Sequence, residues 1–123
     1  MEFFTALTLH PPNADLVARG ELDAFAARLV RERLEEAIDG GCIHFSVDAR
    51  EVTFIDAGGL GLLVRLRNAV TPYGGGVSIT AASDRFQRVA KFAGLANAFD
   101  LDLLREDDER RVRPDRDEPV RAG

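Results

Sequence analysis

Cysteine is almost absent from this 123-residue chain, with Cys42 the single example. One thiol forms no internal disulfide, so a reducing compartment is expected. Long apolar runs are missing too. No stretch approaches the roughly 18 consecutive apolar residues that read as a membrane-spanning helix. Met1-Glu2-Phe3-Phe4-Thr5 has neither the basic start nor the apolar run of a secretory signal. A cytoplasmic protein without direct membrane insertion is expected. Positive charge is also in deficit: the net formal charge is −5, and Lys91 is the only lysine. Such a surface repels a phosphate backbone unless a basic stripe overrides it. Arg65, Arg67, Arg85 and Arg88 fall on separate segments, so nucleic acid is not an expected partner.

The residues that commonly carry chemistry are sparse and scattered. His10 stands at a turn and His44 within a strand. Neither has metal-ligand spacing to the other or to Cys42. Ser46, Ser78 and Ser83 are not in a nucleophile elbow, and no Ser-His-acid or Cys-His set is spaced for catalysis. The sequence therefore predicts no enzyme, no metal and no cofactor. A phosphate-accepting receiver domain would want acidic residues just after its first strand, where this chain has Pro11-Pro12. Asp48 alone resembles a phospho-acceptor, and it lies elsewhere in the chain.

What remains is enough to fold. Hydrophobic residues make up 46% of the chain and charged residues 30%, ordinary values for one globular domain with a core. Phe3, Thr5, Leu7 and Leu9 alternate with their neighbours and predict a strand. Pro11-Pro12-Asn13 makes a turn, and Asp15 to Gly20 reads as a second strand of a hairpin. Asp23 is a helix N-cap. After it Phe25, Ala26, Leu29, Val30, Leu34, Ala37 and Ile38, with Leu22 before, follow three/four spacing, and Gly40-Gly41 ends the helix. Cys42 to Val47 predicts a buried parallel strand, Asp48 to Thr53 a polar crossing, and Phe54-Ile55 a brief extended piece.

Asp56 caps a second helix, from about Gly58 to Ala69. Pro72 to Gly76 is a turn and Val77 to Ala81 a further strand. A third helix begins at Asp84, after Ser83, and closes at Gly94. Phe99 to Leu104 reads as a last short strand or turn. From Arg105 onward large apolar residues nearly vanish, and residues 105–123 read as a disordered mixed-charge tail. The order β-β-α-β-α-β-α-β predicts an α/β domain over residues 1–104, a mixed, mostly parallel sheet packed against helices.

Three segments, in this order and spacing, resemble the STAS family, whose best-known bacterial members are anti-sigma-factor antagonists. Arg19-Gly20-Glu21-Leu22-Asp23 looks like the family's G-E-L-D entry into its first helix. Val52-Thr53-Phe54-Ile55-Asp56-Ala57-Gly58-Gly59-Leu60-Gly61-Leu62-Leu63 looks like its central motif, an apolar pair before D-S-S-G-L-G and a leucine-rich helix. Phe86 to Leu95 is similar to the last helix and its G-L ending. The resemblance covers roughly Phe3 to Leu104 and implies a single STAS-like domain.

It also implies a function. The expected role is to bind an anti-sigma factor, of the kind with a serine-kinase-type ATPase fold, through Asp23, Asp56, Ala57, Gly58, Gly59, Leu60, Gly61 and Leu62. Gly58, Gly59 and Gly61 would let a partner approach the backbone, or would serve close helix-to-strand packing. They lack the lysine and Ser/Thr of a phosphate-cradling loop. One departure stands out: the family's phosphorylated serine corresponds to Gly58, preceded by Ala57, and neither has a hydroxyl. Restoring it by Gly58→Ser is expected to create a phosphorylatable site. Two other roles share the family label: an accessory subunit of an ABC-type transport system, and a small-molecule-binding sensor. A homodimer stays open.

Overall fold

The computed structural model describes residues 3–95 and residue 99. β1 (Phe3–His10) and β2 (Asn13–Leu22) form the expected antiparallel hairpin, paired from Phe3 opposite Gly20 to His10 opposite Asn13. β3 (His44–Ile55) joins β2 in parallel, and β4 (Gly76–Ala82) joins β3 in parallel. The sheet order is β1-β2-β3-β4. Parallel neighbours need a crossover, and α1 (Ala24–Asp39) and α2 (Ala57–Val70) supply the two. A short 3-10 turn at Thr71–Tyr73 leads into β4, and α3 (Asp84–Phe92) follows it.

One face of the sheet carries the core. Ala14, Leu16 and Ala18 of β2, Phe45 and Val47 of β3, and Val77 and Ile79 of β4 are buried in one cluster with Val30, Leu34, Leu63, Leu66 and Phe86 of the helices. Alternate residues on the other face, such as Asp15, Arg19 and Thr80, are exposed. Alternation with a period of two is what one packed face and one open face require.

Two expectations need correction here. The stretch Asp48 to Thr53 is no crossing: β3 runs unbroken for 12 residues against the 10 of β2. Two register shifts, between Val17 and Arg19 and between Gly20 and Glu21 on the β2 side, absorb the difference. Each places an additional β3 residue against β2, as a β-bulge does. The inward positions of β3 consequently fall at Phe45, Val47, Ala49, Val52 and Ile55, so strict alternation is lost and the strand disguises itself. Asp48 and Arg50 brace this region, the carboxylate accepting from both the backbone N–H and Nε of Arg50 at 3.1 Å.

The second correction concerns α1. Its buried stripe is Ala26, Ala27, Val30, Leu34 and Ala37. Phe25 and Leu29, expected on that face, are 66% and 60% exposed.

β4 ends opposite Ala49, leaving the last part of β3 without a neighbour on that side. Ser83 occupies the gap: its N–H donates to the Ala49 carbonyl and its hydroxyl to the Val52 carbonyl, while Oγ accepts from Phe86 N to cap α3. Of the expected last segment, Phe99 alone is described. It is buried, and its carbonyl accepts from Ile79 N at 3.2 Å. The rest of Phe99 to Leu104, and the tail from Arg105, lie outside the described residues.

Candidate functional site

Leu22 and Ile55, the last residues of β2 and β3, are register partners. The next residue on each strand is therefore an aspartate, and each aspartate starts a helix. Asp23 Oδ1 accepts from Ala26 N at 2.9 Å. Asp56 Oδ1 accepts from Gly58 N at 2.9 Å and Gly59 N at 3.1 Å. Free N–H groups at a helix start need such partners. The pairing of strand ends thus brings Asp23 and Asp56 to one rim of the sheet, beyond the carboxyl ends of its parallel strands. Binding sites of open α/β sheets gather at such rims.

The glycines of α2 differ sharply from one another. A Cβ on Gly58 would fall 2.6 Å from the Cα and Cβ of Ala24. On Gly59 it would collide with the Leu22 carbonyl oxygen and fall 2.9 Å from Leu22 Cγ. A Cβ on Gly61 would meet nothing within 4 Å beyond its own stretch of helix. Gly58 and Gly59 are therefore the contact by which α2 wedges against the start of α1 and the end of β2. Gly61 faces open space.

Of the sequence-predicted residues, Ala57 is exposed, and Asp23, Asp56, Gly58 and Gly61 are half-buried. Gly59, Leu60 and Leu62 are buried, Leu60 at 7% exposure and Leu62 at 3%. The two leucines, expected as apolar contacts for a partner, instead anchor α2 in the core. The reachable part of the motif narrows to Asp56, Ala57, Gly58 and Gly61. The expected Gly58→Ser switch also meets an obstacle, because the new side chain would collide with α1.

Sequence reasoning missed the arginines beside this surface. A cavity of about 250 Å³ is lined by Ala24, Arg28, Ala57, Gly58, Gly61 and Arg65, among others. By sequence, Arg65 stands only among arginines on separate segments, and Arg28 has no assigned role. A positional signal existed: Arg28 lies four residues after Ala24, and Arg65 four after Gly61, so each shares a helix face with a small residue of the rim.

Residues 6–105 match the family model described as "Mlab, STAS domain". The chain is 28% identical over 87 residues to the anti-sigma-B factor antagonist of Bacillus subtilis, covering 71% of this chain and 79% of that one. In fold it is similar to the anti-sigma factor antagonist SpoIIAA in its unphosphorylated form, with a TM-score of 0.72, 23% identity, and coverage of 90% and 97% of the two chains. The phosphorylated form of SpoIIAA, described as a Bacillus cell fate determinant, matches at a TM-score of 0.63 and 19% identity, covering 77% and 87%. Among the described residues no helix is long and apolar enough to cross a membrane.

Proposed function

We propose, from the premise that this chain belongs to the STAS domain family, that it works as an anti-sigma factor antagonist. It binds an anti-sigma factor of the serine-kinase ATPase type at the rim where α2 begins, and so frees a sigma factor. The relatives named above as antagonists support the class. The observation that carries the site is the side-chain-poor start of α2, where Ala57 is exposed and Gly58 and Gly61 are half-buried.

Regulation follows from the same residues. A serine at a helix start is a favourable place for a phosphate, because free N–H groups and the helix dipole welcome the anion. There it would add about −1.5 to −2 charges to a docking surface. Ala57 and Gly58 offer no oxygen to phosphorylate. Binding is therefore constitutive with respect to that switch.

The test is direct binding of the full chain to candidate ATP-binding anti-sigma factors, by calorimetry, with and without prior incubation with ATP. Binding that survives the incubation, with no phosphate on the chain by mass spectrometry, supports the reading. Absence of binding to any such factor of the source organism, or a phosphate elsewhere that abolishes binding, overturns it. Gly61→Gln tests the surface. A Cβ on Gly61 meets open space, so the variant is expected to fold, and the added bulk is expected to weaken binding at least about tenfold, the scale on which interface residues act.

A further inference from the structure

The cavity beside Gly58 is one end of a longer trough between α1 and α2. A second cavity of about 440 Å³ continues it, floored by Leu34, Ile38, Leu62 and Leu66. Arg31, Leu62 and Arg65 line both, so the two adjoin. The floor is apolar and the walls are helical, the form of a groove that receives a partner helix. The rim is basic. α2 contains two arginines and no acidic residue, and α1 adds Arg28 and Arg31. Glu35 is the one carboxylate lining either cavity among the described residues, and its contact with Arg31 is long, at 3.9 Å between half-exposed groups. Such a pair holds its arginine weakly. Among the described residues Arg28 and Arg65 pair with no carboxylate.

A chain of net charge −5 thus gathers three guanidiniums around an apolar trough that opens onto the start of α2. We infer that this trough extends the partner surface, and that its occupant is an acidic amphipathic helix of the anti-sigma factor. Carboxylates of that helix meet Arg28 and Arg65, and an apolar side chain lies over Ile38, the half-buried residue of the floor. Two observations select this occupant: the positive rim, in which Arg28 and Arg65 pair with no carboxylate among the described residues, calls for negative charge, and the trough shares Gly58 and Gly61 with the surface already assigned to docking. The inference rests on the antagonist reading for the partner's identity. It adds the partner's chemistry and a second contact region.

The experiment compares the wild-type chain, the double variant Arg28→Glu/Arg65→Glu, and Arg33→Glu as a control on α1 outside the trough. All three positions are exposed, and circular dichroism and melting verify that the variants fold. Association with the anti-sigma factor is followed by surface plasmon resonance at low and high salt. The double variant is expected to bind at least about tenfold more weakly, chiefly through a slower on-rate, and to lose most of the salt dependence of the wild type. Arg33→Glu is expected to bind as the wild type does. Equal or tighter binding by the double variant overturns the inference while leaving the antagonist reading intact. If the wild type binds no anti-sigma factor, the antagonist reading fails and takes this inference with it.

Discussion

Gly58 and Ala24 approach so closely that a β-carbon on the glycine would stand 2.6 Å from two carbons of the alanine. Carbon atoms in good contact lie about 3.5–4.0 Å apart, so the starts of α1 and α2 fit together only while position 58 has no side chain. Gly58→Ser is expected to force them apart and to lower stability by about 1–3 kcal/mol, the usual cost of overpacking. Chemical denaturation measures it. The same crowding is expected to keep the variant from accepting phosphate while folded, which phosphopeptide mass spectrometry checks.

The other two glycines of the motif separate packing from helix propensity. Gly59→Ala would press its methyl onto the Leu22 backbone carbonyl, which has no flexible end to move away. It is expected to cost about 3 kcal/mol or more. Gly61→Ala meets nothing within 4 Å, and alanine in a helix interior is favoured over glycine by about 0.5–1 kcal/mol. Thermal melting is therefore expected to move in opposite directions for two identical substitutions placed two residues apart.

Asp56 accepts two backbone N–H groups. Asp56→Ala is expected to cost about 1–2 kcal/mol, whereas Asp56→Asn, which keeps an acceptor oxygen, is expected to recover most of it. Urea denaturation of the pair measures the cap without touching the core.

Asp48 supplies a pH dependence. Burial acts to raise its carboxyl pKa, but the hydrogen bonds and positive charge of Arg50, with the charge of Arg19 beyond, outweigh it and leave the pKa below the ordinary carboxylate value. A lowered folded-state pKa stabilises the fold above the unfolded value of about 3.9 and loses that contribution as pH falls through the folded one. Arg50→Ala removes the main opposing partner, so the Asp48 carboxyl is expected to titrate at higher pH and acid unfolding to begin earlier. Carboxyl NMR titration reads the first, and circular dichroism against pH the second.

Much of this was visible in the order of residues. Alternation from Phe3 to Leu9 gave the edge strand its pattern, and Asp23 and Asp56 stood where helix starts need acceptors. Local signals of this kind act over two to four residues and survive in a linear reading. The second half of β3 escaped because its bulges shift the inward positions from Val47 and Ala49 to Val52 and Ile55, a spacing that belongs to no regular element. Phe25 and Leu29 were misplaced for a different reason. A helix lying on a sheet buries a narrow stripe, and three-and-four spacing alone does not say where its edges fall. The roles of Gly58 and Gly59 depend on Ala24 and Leu22, some 34 to 37 residues away in the chain, and no local pattern reports contacts of that range.

The bulged strand has a last consequence. It travels the same distance as β2 while using two more residues. Were β3 straight, Ile55 would overshoot Leu22 by two strand rises, about 6–7 Å. Asp56 would then hang above Asp23, and Gly58 would clear Ala24 altogether. The irregularity works as a length adjuster that trims one strand until two helices begin at the same height.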